Sequence, residues 1–153
     1  MRLLALACLV AAAGCTQPTP GPNLPTGPQA QEMAMRATWR AFQDAVRDAD
    51  RDALVALWRA DAPVPPGGRS GATGEELAAV ILRAIEVEPE LREAILAASA
   101  DELAADGMVR EFMFVQSSVD PDDGTVYESG VVIYFVVDPE TARASLLDTL
   151  LAG

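Results

Sequence analysis

The sequence predicts an α+β domain in which N-terminal helices pack on a small antiparallel sheet. Apolar side chains recur at helical spacing between residues 31 and 107, and two runs rich in β-branched and aromatic residues follow between residues 109 and 137. An apolar leader and a proline-rich stretch precede this domain. We therefore divide the chain into a leader at 1–14, a tether at 15–31 and a single α+β domain at 32–153.

The composition of the 153-residue chain excludes several classes of site. Its formal net charge is −12, its eleven basic residues are all arginine, and it contains neither lysine nor histidine. These absences exclude His-based catalytic triads, zinc sites that need imidazole, Schiff-base catalysis and Walker-type phosphate loops. The acidic balance argues against nucleic-acid binding, which depends on cations that neutralise phosphates. We therefore expect no metal ion, no cofactor and no nucleic-acid partner.

The leader has the pattern of an export signal. Arg2 is followed by an unbroken small and apolar run over residues 3–13, which is too short to span a bilayer but fits a signal-peptide core. The run ends in Ala12-Ala13-Gly14-Cys15, which resembles the lipobox of bacterial lipoproteins. The resemblance implies diacylglyceryl attachment to Cys15 and cleavage just before it. Ordinary secretion, with cleavage after Ala11-Ala12-Ala13, is the alternative.

The resemblance also implies a location. Thr16 follows the lipid-bearing cysteine, and by similarity to enterobacterial sorting this residue indicates the outer membrane, with the domain facing the periplasm. The tether, rich in proline, favours a semi-extended chain that holds the domain away from the membrane. The predicted partners are the membrane itself, through the anchor at Cys15, and an envelope protein or a small apolar ligand.

Four helices are predicted in the first part of the domain. The first begins near Gln31 and buries a stripe at i, i+4, i+7 and i+11. That stripe consists of Met35, Trp39, Phe42 and Val46. Asp50 caps a short second helix. Thr73 and Glu76 form a capping box for the third, and Pro89 begins the fourth, with a new cap at 99–102 and a C-terminal end at Gly107.

A β-hairpin follows these helices. Its strands are Val109–Val119 and Val126–Val137, and Asp120–Gly124 supplies the Asp-Gly turn signal between them. Residues 131–137 are apolar at successive positions, so we expect this strand to be central and covered on both faces. The acidic residues of the turn do not match the spacing of a calcium-binding loop, and we interpret them as polar turn residues.

The C-terminal segment fits two structures. Asp138-Pro139-Glu140 is typical of a helix start, and the leucines between Leu146 and Leu151 fit one helical face. The same residues could form a last strand after a turn. The local signals favour the helix.

Several of these segments together resemble the nuclear-transport-factor-2-like (SnoaL-like) superfamily, an α+β cone. The similarity begins with Trp39-x-x-Phe42 in the first helix and continues with a second helix that starts at Asp50 and ends in Leu57-Trp58. A glycine-rich loop before the third helix and Asp138–Thr141 before the last segment are also similar. The resemblance implies a curved sheet covered by helices. Its members include isomerases, dehydratases and non-catalytic binders, so the fold alone does not select a function.

The resemblance suggests where acid–base chemistry would occur. Enzymes of this superfamily often use a carboxylate or tyrosine inside the cone, and the corresponding candidates are Tyr134, Tyr127, Glu111 and Glu128. A pocket that holds both a glutamate and a tyrosine would indicate a small-molecule enzyme. A filled core would indicate a non-enzymatic binding module, which is the function we expect.

We predict that Cys15 carries the membrane anchor. Cys15→Ser removes the thiol that would be acylated, so the variant should leave the detergent phase and change its electrophoretic mobility, because acyl chains supply the membrane affinity. Detergent partitioning of expressing cells measures this, and Cys8→Ser, within the leader, is the matched control. An unchanged partition of Cys15→Ser would contradict lipidation.

Overall fold

The computed structural model describes residues 27–65 and 71–152. Cys15 and the rest of the leader and tether up to residue 26 lie outside the described residues. The described chain is α+β, as predicted, with four helices followed by a four-stranded antiparallel sheet in the order β1-β2-β3-β4. The elements are α1 (Pro28–Asp48), α2 (Arg51–Leu57), α3 (Gly74–Val87), α4 (Pro89–Ala97), a 3₁₀ turn (Ala100–Glu102), β1 (Ala104–Asp106), β2 (Val109–Val119), β3 (Val126–Val137) and β4 (Ala144–Ala152).

Helix α1 begins at Pro28, earlier than the predicted start at Gln31. Proline is well suited to a first helical position, because the N–H that it lacks would have no partner there. Gly27 precedes it with a φ of 87°, a conformation that favours glycine. Part of the proline-rich stretch therefore belongs to the first helix.

The predicted caps of α2 and α3 are confirmed. The Asp50 carboxylate accepts a hydrogen bond from the Ala53 N–H at 3.0 Å and begins α2. At α3, the Glu76 N–H donates to Thr73 Oγ1 at 3.3 Å, while the Thr73 N–H donates to Glu76 Oε2 at 2.8 Å. Each contact satisfies a backbone N–H that the helix itself leaves unpaired.

Helix α4 ends at Ala97, before the predicted end at Gly107. The new cap at Ser99–Glu102 is confirmed, but it begins a single 3₁₀ turn and is followed by strand β1. Gly107, at a φ of 55°, lies instead in the tight connection between β1 and β2. A glycine that can adopt positive φ ends a helix or makes a turn equally well, so its identity alone does not distinguish the two.

The hairpin has the predicted boundaries. Val119 pairs with Val126, and the Asp120 N–H donates to the Thr125 carbonyl at 2.8 Å across the turn. Within the turn, the Asp120 and Asp123 carboxylates accept backbone N–H groups at 2.8 Å, which supports their interpretation as polar turn residues.

The C-terminal segment is a strand, so the favoured helix prediction is wrong. Asp138 does not cap a helix: its carboxylate accepts from the Glu140 N–H at 2.9 Å, and its own N–H donates to the Arg143 carbonyl at 2.8 Å. These bonds close a turn. The chain then runs antiparallel to β3 and buries Leu146 completely, an interaction that local helix signals do not register.

All four helices precede the sheet, and α1, α3 and α4 pack on one of its faces. Strand β3 is central, as predicted, and sends Ile133, Phe135 and Val137 toward the helices. The opposite face of β3 is only partly covered, whereas the sequence predicts coverage of both faces. Val136 is buried beneath Ala62 and Leu147, but the start of the strand is exposed on that face. We call this face, which points away from the helices, the open face.

Aromatic rings fill the space between helices and sheet. Trp39 lies 5.4 Å from Phe42, 5.5 Å from Phe112 and 5.7 Å from Phe135, measured between ring centroids. Phe42 meets Phe135 edge to face at 5.3 Å. Such contacts add to the free energy gained by burying the rings. The centre of the domain is therefore a packed aromatic cluster.

Backbone carbonyls near the end of α4 are satisfied by side chains of α1. Trp39 Nε1–H donates to the Ala98 carbonyl at 2.9 Å, and the Gln43 amide donates to the Ile95 and Ala98 carbonyls at 2.8 Å each. Thr38 donates to the Ala144 carbonyl at 3.4 Å. These bonds fix α1 against both α4 and the last strand.

We expect Phe42→Ala to lower the free energy of unfolding by about 3–5 kcal/mol, because the substitution opens a cavity in the aromatic cluster. Urea unfolding measures this change. Met33→Ala, at an exposed position of the same helix, should change the value by less than about 0.5 kcal/mol. Equal losses in the two variants would show that the cluster is not the stabilising centre.

We expect the capping box of α3 to make stability depend on pH. Hydrogen bonds from the Thr73 backbone N–H and hydroxyl hold the pKa of Glu76 below its ordinary value of 4.5. The stabilisation is therefore present above about pH 4.5 and is lost as the pH falls through the depressed folded value. Glu76→Gln keeps an acceptor oxygen but does not titrate, so its unfolding free energy should fall less on acidification than that of the wild type.

Urea titrations near neutral pH and in mild acid test this expectation. Glu93→Gln, at an exposed position on α4, removes the same charge without touching the cap and is the control. If Glu93→Gln flattens the pH dependence as much as Glu76→Gln does, the effect belongs to net charge and not to the capping box.

Candidate functional site

Two of the four predicted acid–base residues are neighbours on the open face. Glu111 of β2 is paired with Tyr134 of β3, and Tyr134 is paired with Asp148 of β4. Side chains alternate along a strand, and the neighbouring Phe112 and Ile133 belong to the core. The row of Glu111, Tyr134 and Asp148 therefore points away from the helices and not into an enclosed cone.

This arrangement does not activate the tyrosine. Burial raises the pKa of Tyr134, and the carboxylates of Glu111 and Asp148 raise it further. A phenol whose pKa is raised stays protonated at neutral pH, so it cannot act as a base there. In this position Tyr134 is a half-buried side chain of the sheet surface.

The other two candidates lie elsewhere. Tyr127 is 56% exposed near the start of β3, and Glu128 is opposite Ser117 of β2. Glu111 also borders a depression of about 390 Å³ between α4 and the β2 edge, where Glu102 is a further lining residue. Neither Tyr127 nor Tyr134 lines this depression, so it does not combine a glutamate with a tyrosine.

A different cavity lies between the end of α3 and the sheet. It has a volume of about 240 Å³, and we call it the α3 groove. Ala84 and Val87 form its helical wall, and Phe114, Val131 and Leu151 form its sheet wall. The groove is predominantly apolar, which is typical of sites for apolar ligands.

The sequence explains why the α3 groove is open. Pro89 requires an extended conformation at Glu88, and α3 accordingly ends at Val87. Strands β2 and β3 continue beyond that point, to Val119 and from Val126. The sheet therefore extends past the helix that covers it.

Few charged groups surround the α3 groove. Arg83 and Glu88 are the charged side chains among its lining residues, and Arg83 forms an ion pair with Glu86 at 2.9 Å. Because its guanidinium already has a carboxylate partner, Arg83 offers little free positive charge to an anion. The groove is suited to a neutral apolar group.

A wider depression of about 510 Å³ lies on the other side of α3 and includes three arginines, Arg51, Arg83 and Arg92. Arg51 is paired with Glu75 at 2.9 Å, and Arg83 with Glu86. Arg92 donates to the Arg47 carbonyl. Each guanidinium is thus engaged within the protein, and the depression is a weaker anion site than its three cations suggest.

The sequence did not single out the α3 groove. Its walls combine Val87, Phe114 and Leu151, which are far apart in the chain and have no shared motif. One signal was available: Val87 is an apolar residue at the end of a helix just before proline, and it remains 55% exposed. Exposed apolar residues are common, so they indicate a binding site only when several of them lie together in the fold.

Within residues 27–65 and 71–152, no group of three His, Cys, Asp or Glu side chains is placed to hold a metal ion. None of the described helices has the length and apolar character needed to cross a bilayer. Comparisons with protein families, curated proteins and solved structures find no match to this chain.

Proposed function

We propose that this chain is a lipid-anchored protein of a bacterial cell envelope whose domain is a non-enzymatic binding module for a small apolar ligand. The observation that carries the proposal is the combination of a filled aromatic core with an apolar groove at the end of α3. Because the interior is filled, an apolar ligand would bind at the surface, and the α3 groove is an apolar cavity suited to a small molecule.

The filled core also argues against the alternative, a small-molecule enzyme of the isomerase or dehydratase kind. Such an enzyme would need a cavity where a carboxylate and a tyrosine meet the substrate. Trp39 and Phe135 occupy the corresponding interior, and Glu111 and Tyr134 lie on the open face. A tyrosine with a raised pKa and a partly exposed glutamate provide no poised acid–base pair.

The α3 groove limits the ligand by size and polarity. A volume of about 240 Å³ lies just below the roughly 300–1,000 Å³ that is usual for drug-sized ligands. The ligand is therefore a small molecule or one short arm of a larger apolar molecule. Because Arg83 is already paired with Glu86, burial of apolar surface supplies the binding free energy.

We further propose that the domain is a filled variant of the nuclear-transport-factor-2-like cone. The order of a long helix, a short helix that starts at Asp50, and a third helix supports this relationship. The Asp138–Thr141 turn into a last strand supports it as well. The sheet has four strands, and β1 is only three residues long, so the cone lacks the depth that an interior pocket would need.

The anchor is proposed from the sequence. The lipobox-like Ala12-Ala13-Gly14-Cys15 and the proline-rich stretch after it support lipidation at Cys15 and a tethered domain. Thr16 supports the outer membrane as the destination, with the domain in the periplasm. An acidic domain is repelled by anionic headgroups, which favours a position away from the membrane surface.

Binding in the α3 groove can be tested with the neutral apolar dye N-phenyl-1-naphthylamine and the chain from Thr16 onward, which keeps every described residue. We expect Val87→Asp to weaken dye binding by about tenfold, or ~1.4 kcal/mol, because the substitution places a charge on an apolar wall. Fluorescence titration measures the dissociation constant. Val64→Asp makes the same substitution at a similarly exposed position outside the groove, so this variant should bind the dye like the wild type.

A second variant tests whether the weaker dye binding of Val87→Asp is only an indirect effect of its charge. Ala84→Phe fills the α3 groove with a neutral ring and should also weaken dye binding, while the urea midpoint reports whether the variant remains folded. A wild type that does not bind the dye, or two variants that bind it as well as Val64→Asp does, would rule out the groove as the site.

A further inference from the structure

One edge of the sheet is covered along only a short part of its length. Strand β1 pairs with β2 over residues 109–111, whereas β2 continues to Val119. Residues 112–119 therefore have β3 on one side and no other strand of the described chain on the other. We call this stretch the β2 edge segment. Its outward backbone groups are available to a further strand.

The sequence of the β2 edge segment lacks the charges and prolines that usually protect an edge strand from pairing. Its sequence, Phe-Met-Phe-Val-Gln-Ser-Ser-Val, contains no charged residue and no proline. Met113, Val115 and Val119 are 62%, 57% and 63% exposed. Natural sheets commonly protect such edges with charges, prolines or covering loops.

The opposite edge of the same sheet shows what protection looks like. On β4, the backbone of Trp58 forms a parallel bridge to Leu146, so the chain after α2 lies against that edge. Asp148 adds a charge further along the strand. The bridge protects the start of β4 and the charge of Asp148 protects its middle, whereas the β2 edge segment has neither a bridge in the described chain nor a charge. The β2 edge segment is therefore better suited to accept a new strand.

We propose that the β2 edge segment pairs antiparallel with the same segment of a second copy of this chain, which joins two sheets into one. Antiparallel pairing about Val115 places Met113 opposite Ser117 and Phe114 opposite Gln116. Each such pair consists of uncharged residues. The arrangement is a closed two-fold dimer, in which both copies use the same surface.

Charge selects this surface over others. The chain has a formal net charge of −12, so most contacts between two copies would bring carboxylates together. The open face is an example, because its strands carry Glu111, Glu128 and Asp148 and two such faces would bring these carboxylates together. The β2 edge segment is an uncharged strip along which two acidic copies can meet. This inference does not rest on the lipid anchor or on the α3 groove.

Sedimentation equilibrium of the chain from Thr16 onward, over a wide range of concentrations, tests the proposal. We expect a reversible monomer–dimer equilibrium. Val115→Lys sets two lysines against each other at the centre of the pairing and should raise the dimer dissociation constant by at least about tenfold. Leu150→Lys is the matched control, because this residue of β4 is similarly exposed but lies away from the β2 edge.

A second variant and a second measurement keep the test independent of misfolding. Ser117→Glu, at an exposed position of the same segment, should also favour the monomer, with circular dichroism to confirm that it is folded. Amide hydrogen exchange within residues 112–119 should slow as the concentration rises. The proposal is overturned by a wild type that is monomeric throughout, by dissociation with Leu150→Lys but not with Val115→Lys, or by dimerisation that leaves exchange in 112–119 unchanged.

Discussion

The indole of Trp39 is the contact on which the rest of the domain depends. Its ring touches Phe112 of β2 and Phe135 of β3, and its N–H satisfies the Ala98 carbonyl just beyond α4. One side chain thus joins the first helix to two strands and to the end of another helix. Large aromatic rings thus occupy the place where a curved sheet could enclose a ligand, and the α3 groove lies outside this cluster.

The parts of the fold that the sequence predicts are those determined by neighbouring residues. Thr73 and Glu76 cap α3 because they are three residues apart, and the hairpin closes at Val119 and Val126 because the Asp-Gly turn lies between them. The last segment could not be decided in this way. Asp138 can accept backbone N–H groups in a helix start or in a turn, and only pairing with β3 makes β4 a strand. Pairing between residues far apart in the chain produces no local sequence pattern from which the strand could be predicted.

The candidate site was less accessible from the sequence than the fold. Alternation along β2 and β3 indicates that Glu111 and Phe112 face opposite sides, but it does not say which side is interior. The α3 groove is harder still, because Val87 and Leu151 are unremarkable surface residues until the fold brings them together. The sequence could exclude classes of mechanism, because a chain without histidine or lysine has few residues for acid–base chemistry. The structure adds that burial and neighbouring carboxylates raise the pKa of Tyr134, so its hydroxyl stays protonated.

The hydrogen bond from Thr38 to the Ala144 carbonyl joins residues that are 106 positions apart, and it connects the first helix to the last strand. Contacts of such long sequence separation slow folding, because the entropy of closing the loop must be overcome before the contact gives any stabilisation. The helices are synthesised first, yet the apolar stripe of α1 has no complete partner until β4 has been made. The core of the domain is therefore completed only when almost the whole chain has been synthesised.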